Sequence, residues 1–225
     1  MSTNPIITIV GAGPGVSLSV ARRFGREGFR VVLIARDVEK LETLRVDLSA
    51  VGIETMTLSA DAADEQSLVD AFSQIQGEWG TTSVLHYNAV TVHAGNPSQL
   101  KLDDLMLDFK VGVGGAMVAA QQVIPPLKRQ GHGTLLFTGG GFAVQPMAGL
   151  ASLGVAKAGL RNFVGSLAQE MEGSGIKVGT VTICGTVMES GPFAADKIAD
   201  EFWQIHHDPL GSPVERMFVG RPEND

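Results

Sequence analysis

The chain has 225 residues, 44% of them hydrophobic, and 17 Lys and Arg against 24 Asp and Glu, a formal charge of −7. That is apolar material for one large domain with a full core, and it excludes a disordered tail; one cysteine, Cys184, excludes a disulfide scaffold. No block of Lys or Arg offers the footprint that a phosphate backbone needs, and five scattered histidines show no metal-ligand spacing, so neither nucleic acid nor a metal is expected.

Met1 leads into the apolar run Ile6–Val10, which reads as a first strand. It is too short for a signal h-region and no basic segment precedes it, so a reducing cytoplasm is the expected compartment. No apolar stretch approaches the ~18 residues of a membrane span. Further β-branched runs follow at Arg30–Ala35, Ile53–Leu58, Ser83–Tyr87, Thr134–Thr138 and Lys177–Ile183, with a short last one at Glu215–Val219. Between them lie amphipathic segments: Val16–Glu27, Val38–Ala50, Glu65–Trp79, a long fourth at Leu102–Gln130, and a fifth at Ala148–Glu172. Gly28, Gly52, Gly131 and Gly175 stand where helices should stop. Strands alternating with helices predict an α/β fold, a doubly wound parallel sheet with helices on both faces. No linker or repeat divides the chain, so residues 1–225 read as one domain. Pro192 and the segment Phe193–His206 predict one more helix, laid over the site as a lid, within a C-terminal part spanning 191–225.

The first strand ends in Val10-Gly11-Ala12-Gly13-Pro14-Gly15-Val16 and opens a helix. Glycines let the backbone turn without a Cβ in the way, and the first N–H groups of the helix lack internal partners, so the loop can hold a diphosphate. Ser17 replaces the third glycine of the usual fingerprint. Arg36 follows the second strand, and no acid at Ala35 would accept from a ribose 2′-hydroxyl; this favours NADP(H) over NAD(H), the alternative being a solvated surface arginine. Asp61 reads either as a cofactor contact or as a helix cap, with Asp64 better placed for the cap.

These residues resemble the short-chain dehydrogenases/reductases from about Ile6 to about Ser190. Gly11 and Gly15 match both principal glycines of the family loop, with Gly13 and Val16 between and after them. Ala60-Asp61-Ala62 is similar to the family's Asp-Val, and His86-Tyr87-Asn88-Ala89-Val90 to its Asn-Asn-Ala-Gly with two changes. Lys157 matches the lysine of Tyr-x-x-x-Lys, and Cys184-Gly185 the Pro-Gly after the sixth strand. The resemblance implies that Asp61, Asn88, Ala89, Lys157 and Gly185 also meet the cofactor. It implies that Asn, Ser, Tyr and Lys carry the reaction: Tyr moves the proton, Ser orients the carbonyl, Lys lowers the Tyr pKa and holds the nicotinamide ribose, and Asn maintains a water relay. Here Gly112 stands at the Asn position, Gly140 at the Ser position and Leu153 at the Tyr position; only Lys157 remains. Tyr87 is the only tyrosine, and the residue four further on is Thr91. Replacement groups are sought in segments that should approach the nicotinamide end: Tyr87 and Thr138 first, then Ser152, which has no base in view, His86, and His93, which reads as exposed. The resemblance also implies a homodimer or homotetramer through the fourth and fifth helices, whose small residues (Gly115, Ala119; Gly154, Ala158) would permit close contact. The function expected is an NADP(H)-dependent oxidoreductase with a degenerate site acting on a small molecule. The alternative is a non-redox protein on the same fold: a regulatory or partner subunit, or an enzyme of another class using the emptied pocket.

Overall fold

The computed structural model describes residues 4–220; residues 1–3 and 221–225 of the expected domain and tail lie outside it. Among the described residues, seven strands form one sheet: β1 (Ile6–Val10), β2 (Arg30–Ala35), β3 (Thr55–Ser59), β4 (Thr82–Tyr87), β5 (Gly133–Gly140), β6 (Ile176–Ile183) and β7 (Glu215–Phe218). Their order is β3-β2-β1-β4-β5-β6-β7, and every neighbouring pair is parallel. Parallel neighbours need crossovers, which the helices supply: α1 (Val16–Gly25), α2 (Val38–Ser49), α3 (Glu65–Glu78), α4 (Leu102–Phe109), α5 (Gly115–Gln130), α6 (Ala151–Glu170) and α7 (Ala195–His207).

Both faces are covered, and this is why the central strands carry no polar alternation. From β1, Ile7 and Ile9 join Phe24, Leu48 and Phe202 in the layer of α1, α2 and α7. Ile6 and Val10 join Leu68, Val123 and Leu160 in the layer of α3, α5 and α6. The chain reverses its direction of winding between β1 and β4, which opens a crevice at their carboxyl ends. Two aspartates set the starts of flanking helices: Asp37 accepts from the Lys40 N–H, and Asp64 from the N–H groups of Gln66 and Ser67. Asp64 rather than Asp61 therefore caps α3.

The structure corrects three expectations. The long helix at 102–130 is two helices, α4 and α5, separated by one wide π turn at Lys110–Gly114. Gly112, Gly114 and Gly115 weaken the regular helix there, and the Tyr87 hydroxyl donates to the Val111 carbonyl within the turn. A Cβ at Gly115 would stand 2.3 Å from the Tyr87 hydroxyl and 2.4 Å from the Ala62 carbonyl oxygen, so this glycine makes room for the phenol. Gly115 and Ala119 thus serve packing inside the chain and are not free to face a second copy.

The second correction concerns α7, which is a regular member of the α1–α2 layer and not a lid. Its stripe Ile198, Ala199, Phe202 and Ile205 is fully buried, because one continuous apolar face is better covered by the sheet and α1 than by a polar crevice. Phe202 lies 4.6 Å from the His86 ring, Trp203 5.0 Å from Phe24, and Arg23 stacks 4.4 Å over Trp203. The third is smaller: β3 starts at Thr55, and Ile53 instead fills a hollow over Gly25, where a Cβ would come within 2.6 Å of it.

Candidate functional site

The glycine loop is tied to the strand ends on both sides. The N–H groups of Gly11 and Ala12 both donate to the Ile34 carbonyl, and the Asn88 side-chain amide donates to the Gly11 carbonyl at 3.1 Å. Gly11 has φ of +84°, and a Cβ there would stand 2.3 Å from the Ala89 nitrogen, so no other residue fits. Ser17 closes the turn from inside: its hydroxyl accepts from the Gly13 N–H at 2.7 Å and donates to the Gly13 carbonyl at 2.9 Å. At Gly15, the N-cap of α1, no side chain caps the helix and a Cβ would meet nothing within 4 Å. The first helical N–H groups, Val16 onward, therefore have no capping side chain and the positive end of the helix dipole behind them, a cradle that fits a diphosphate.

A cleft of about 290 Å³ continues from this loop past Ala35, Arg36 and Lys40 to Asp61, Asn88, Ala89 and Thr91. Arg36 is exposed and, among the described residues, is in no salt bridge. Asp37 is held below the ordinary carboxylate range by hydrogen bonds from Lys40, whose ammonium lies 2.9 Å away, so it is already engaged. Asp61 accepts from the Ala63 N–H at 2.9 Å with one oxygen. These residues fit the adenosine end of a dinucleotide.

A second, apolar cleft of about 560 Å³ opens beyond β5 and β6, between Phe142, Leu150, Cys184, Gly185 and Met217. Gly185 stands on this wall, and a Cβ there would run into the Phe193 ring at 2.4 Å, so its glycine serves the close packing of Phe193. A roomier groove of about 590 Å³ lies between Gly173–Val178 and Asp208–Val214, at the amino ends of β6 and β7 and away from the crevice.

Lys157 is half-buried, with its ammonium donating to the Thr138 carbonyl at 2.7 Å. Burial pulls its pKa down to about 8. Its stem crosses over Gly140: a Cβ on that glycine would meet the Lys157 carbons at 3.4–3.5 Å, ordinary contact. A Cβ at Gly112 would press on the Ala156 Cβ at 3.2 Å, so the Asn position has closed by packing. Leu153, one turn before Lys157, is half-buried.

Two candidate proton donors are displaced from this site. Tyr87 is 1% exposed, its hydroxyl is bound to Val111, and burial drives its pKa far above the usual phenol value. Thr138 is buried too, and its hydroxyl pairs with His86 Nε2 at 3.0 Å. Both side chains alternate into the helix layers, because neighbouring strand residues point to opposite faces and both faces here are core. His86 has no exposure, its Nδ1 has no partner, and burial followed by the Lys157 charge lowers its pKa to about 3, so it is neutral.

One residue was not anticipated. Asp108 is fully buried on α4, where it accepts from the Ser152 hydroxyl, from the His93 N–H at 2.9 Å and from His93 Nδ1 at 2.7 Å. Burial by itself would raise its pKa, but the hydrogen bonds from Ser152 and His93 hold it below the ordinary value. The available signal was spacing: Asp108 stands one turn before Gly112, on what becomes the buried side. Among the described residues, no group of three or more His, Cys, Asp or Glu is arranged for a metal ion, and no helix is long and apolar enough to cross a membrane.

Comparison with known proteins agrees with this architecture. The chain is 24% identical over 177 residues to 3-oxoacyl-[acyl-carrier-protein] reductase of Bos taurus, covering 78% of this chain and 73% of that protein. It is 28% identical over 175 residues to sulfoacetaldehyde reductase 2 of Chromohalobacter salexigens, covering 77% and 69%. A metagenomic short-chain oxidoreductase crystallised with NADP superposes with a TM-score of 0.86 at 23% identity, covering 95% of this chain and 96% of that one. The family model for short chain dehydrogenase matches residues 5–195. With the glycine loop, the sheet order and the lysine at the carboxyl edge all in that pattern, the chain belongs to the short-chain dehydrogenase family.

Proposed function

We propose that this protein is an NADP(H)-dependent oxidoreductase of the short-chain type that interconverts a small carbonyl compound and its alcohol with a reduced set of catalytic side chains. The observation that carries this reading is the contrast between the two halves of the site. Gly11, Arg36, Asp61 and Asn88 line one cleft and Lys157 holds the Thr138 carbonyl, while Gly112, Gly140 and Leu153 stand where the resemblance puts Asn, Ser and Tyr. A cofactor held here supplies hydride chemistry; the chain's own part is to bind its phosphates at Val16, its ribose at Lys157 and its 2′-phosphate at Arg36.

Preference for NADPH is supported by the exposed Arg36 guanidinium beside an Asp37 already bound to Lys40. A charge-assisted bond to the 2′-phosphate contributes about 1.5–3 kcal/mol. In titration calorimetry Arg36→Ala should therefore lose about tenfold or more in NADPH affinity and little in NADH affinity. An unaltered preference would mean that Arg36 is only a solvated side chain.

Lys157 is assigned to binding, since the tyrosine it would activate is Leu153. Its depressed pKa gives this a pH signature: the ammonium is present below about 8 and is lost as pH rises through that value. NADPH affinity should weaken between pH 7 and 9, and Lys157→Met should bind weakly throughout with that dependence abolished.

The exposed apolar residues Met106 and Phe109 on α4, Met117 on α5 and Val155 on α6 support pairing of two copies through these helices. Sedimentation of Met117→Glu with Val155→Glu should then shift the protein toward monomer.

A further inference from the structure

The segment between β4 and α4 carries a cluster that the cofactor cradle does not use. Asp108 and Ser152 have no exposure, whereas the His93 side chain is 36% exposed. Both Asp108 oxygens are engaged: Oδ2 by Ser152 and the His93 N–H, Oδ1 by His93 Nδ1 at 2.7 Å. A carboxylate buried between helices is costly unless so satisfied, and a carboxylate can only accept, so the proton sits on Nδ1. The ring's other nitrogen, Nε2, remains the reactive one, 3.8 Å from Asp104, beyond hydrogen-bond distance.

The segment that carries this ring runs from one cleft to the wall of the other. Thr91, two residues before it, lines the cofactor cleft; Gly95, two residues after it, is bridged to Leu150 on the wall of the apolar cleft. Ser152, which anchors the carboxylate, immediately precedes Leu153. We propose that His93, oriented by Asp108, is the acid–base catalytic residue of this site, taking the role that Leu153 cannot fill. Asp108 is its positioning residue, and Ser152 holds Asp108. This rests on the oxidoreductase reading above.

In the reduction direction the carbonyl carbon receives the hydride, with its electron pair, from the reduced nicotinamide, and the carbonyl oxygen receives the proton from His93 Nε2. The products are an alcohol, the oxidised nicotinamide and a neutral imidazole, which water reprotonates. Asp108 stays ionised and stabilises the imidazolium. The charged groups facing the ring are Asp104 and Asp108 of α4; residues 91–99 and the first turn of α6, residues 151–154, have none. Reduction takes up a proton at this site and alcohol oxidation releases one, so the two directions should bend oppositely with pH.

The test uses the full chain, NADPH and 2,3-butanedione as probe. His93→Gln should lower kcat at pH 7 at least 100-fold, leave the NADPH dissociation constant from fluorescence within about threefold, and erase the pH bend. Asp108→Asn should lower kcat at least tenfold and leave KM and the NADPH dissociation constant within about threefold. Should His93→Gln misfold, NMR titration of the His93 imidazole in the native chain still decides: its midpoint must coincide with the kinetic bend. A variant with native rate and pH profile, a midpoint that does not match, or a native chain that binds NADPH but reduces no diketone would each overturn the assignment. A native chain that does not bind NADPH fails the underlying reading instead.

Discussion

In a His93→Gln background, the double variant Leu153→Tyr with Gly140→Ser is expected to reduce 2,3-butanedione with NADPH faster than His93→Gln alone, by about 10²-fold or more, since a positioned proton donor contributes about 10²–10⁴ in rate. The phenol would stand one helical turn before Lys157 on the same face of α6, where an ammonium depresses its pKa. The hydroxymethyl group added by Gly140→Ser has room, because a Cβ at that glycine only touches the Lys157 stem at 3.4–3.5 Å. Residues that act as a unit are not additive, so the double variant should exceed the product of the two single ones. Steady-state rates of all four proteins close the cycle. Repeating the cycle with His93 retained separates the two donors, because the gain from the tyrosine should then shrink. A rate unchanged by the added phenol and hydroxyl would show that the backbone no longer presents the family's catalytic geometry. Gly112→Asn is left out, since its Cβ would press against Ala156 at 3.2 Å.

Gly11→Val should abolish NADPH binding and also cost stability. The backbone there has φ of +84°, which strains any residue with a Cβ by roughly 1–2 kcal/mol. The new Cβ would lie 2.3 Å from the Ala89 nitrogen, and overpacking of that kind adds about 1–3 kcal/mol. A loss of about 3 kcal/mol lowers the melting temperature of a domain this size by roughly 10 °C. The loop must also move away from Asn88, whose amide holds the Gly11 carbonyl, and this misaligns the N–H groups at the start of α1. Fluorescence titration and a thermal melt read both effects. Retained binding would place the diphosphate elsewhere. Gly15→Ala is the control, because its Cβ meets nothing within 4 Å and the melting temperature should hold even where phosphate binding suffers.

The architecture and one half of the site were legible in the order of the amino acids. Hydrophobic periodicity is a local property, so the strands at Ile6–Val10 and Arg30–Ala35 could be read to the residue, as could the strand-glycine-helix order that makes a phosphate cradle. The same order of residues sets Gly112, Gly140 and Leu153 where the resemblance implies Asn, Ser and Tyr, Leu153 by counting four back from Lys157. Which polar side chains face the site, by contrast, was settled by long-range packing. Tyr87 and Thr138 stand at strand ends near the crevice, yet alternation along a doubly covered sheet turns one to Val111 and the other to His86. Tyr87 in turn requires Gly115, a pairing across 28 positions that no local pattern contains. The helix predicted over 102–130 broke because a long-range hydrogen bond could take up a carbonyl in the wide turn. Asp108 was invisible for the same reason in reverse. An aspartate in a helix reads as a solvated face, and what makes this one a buried acceptor is the meeting of His93 and Ser152, 15 and 44 residues away, on elements that the fold alone brings together.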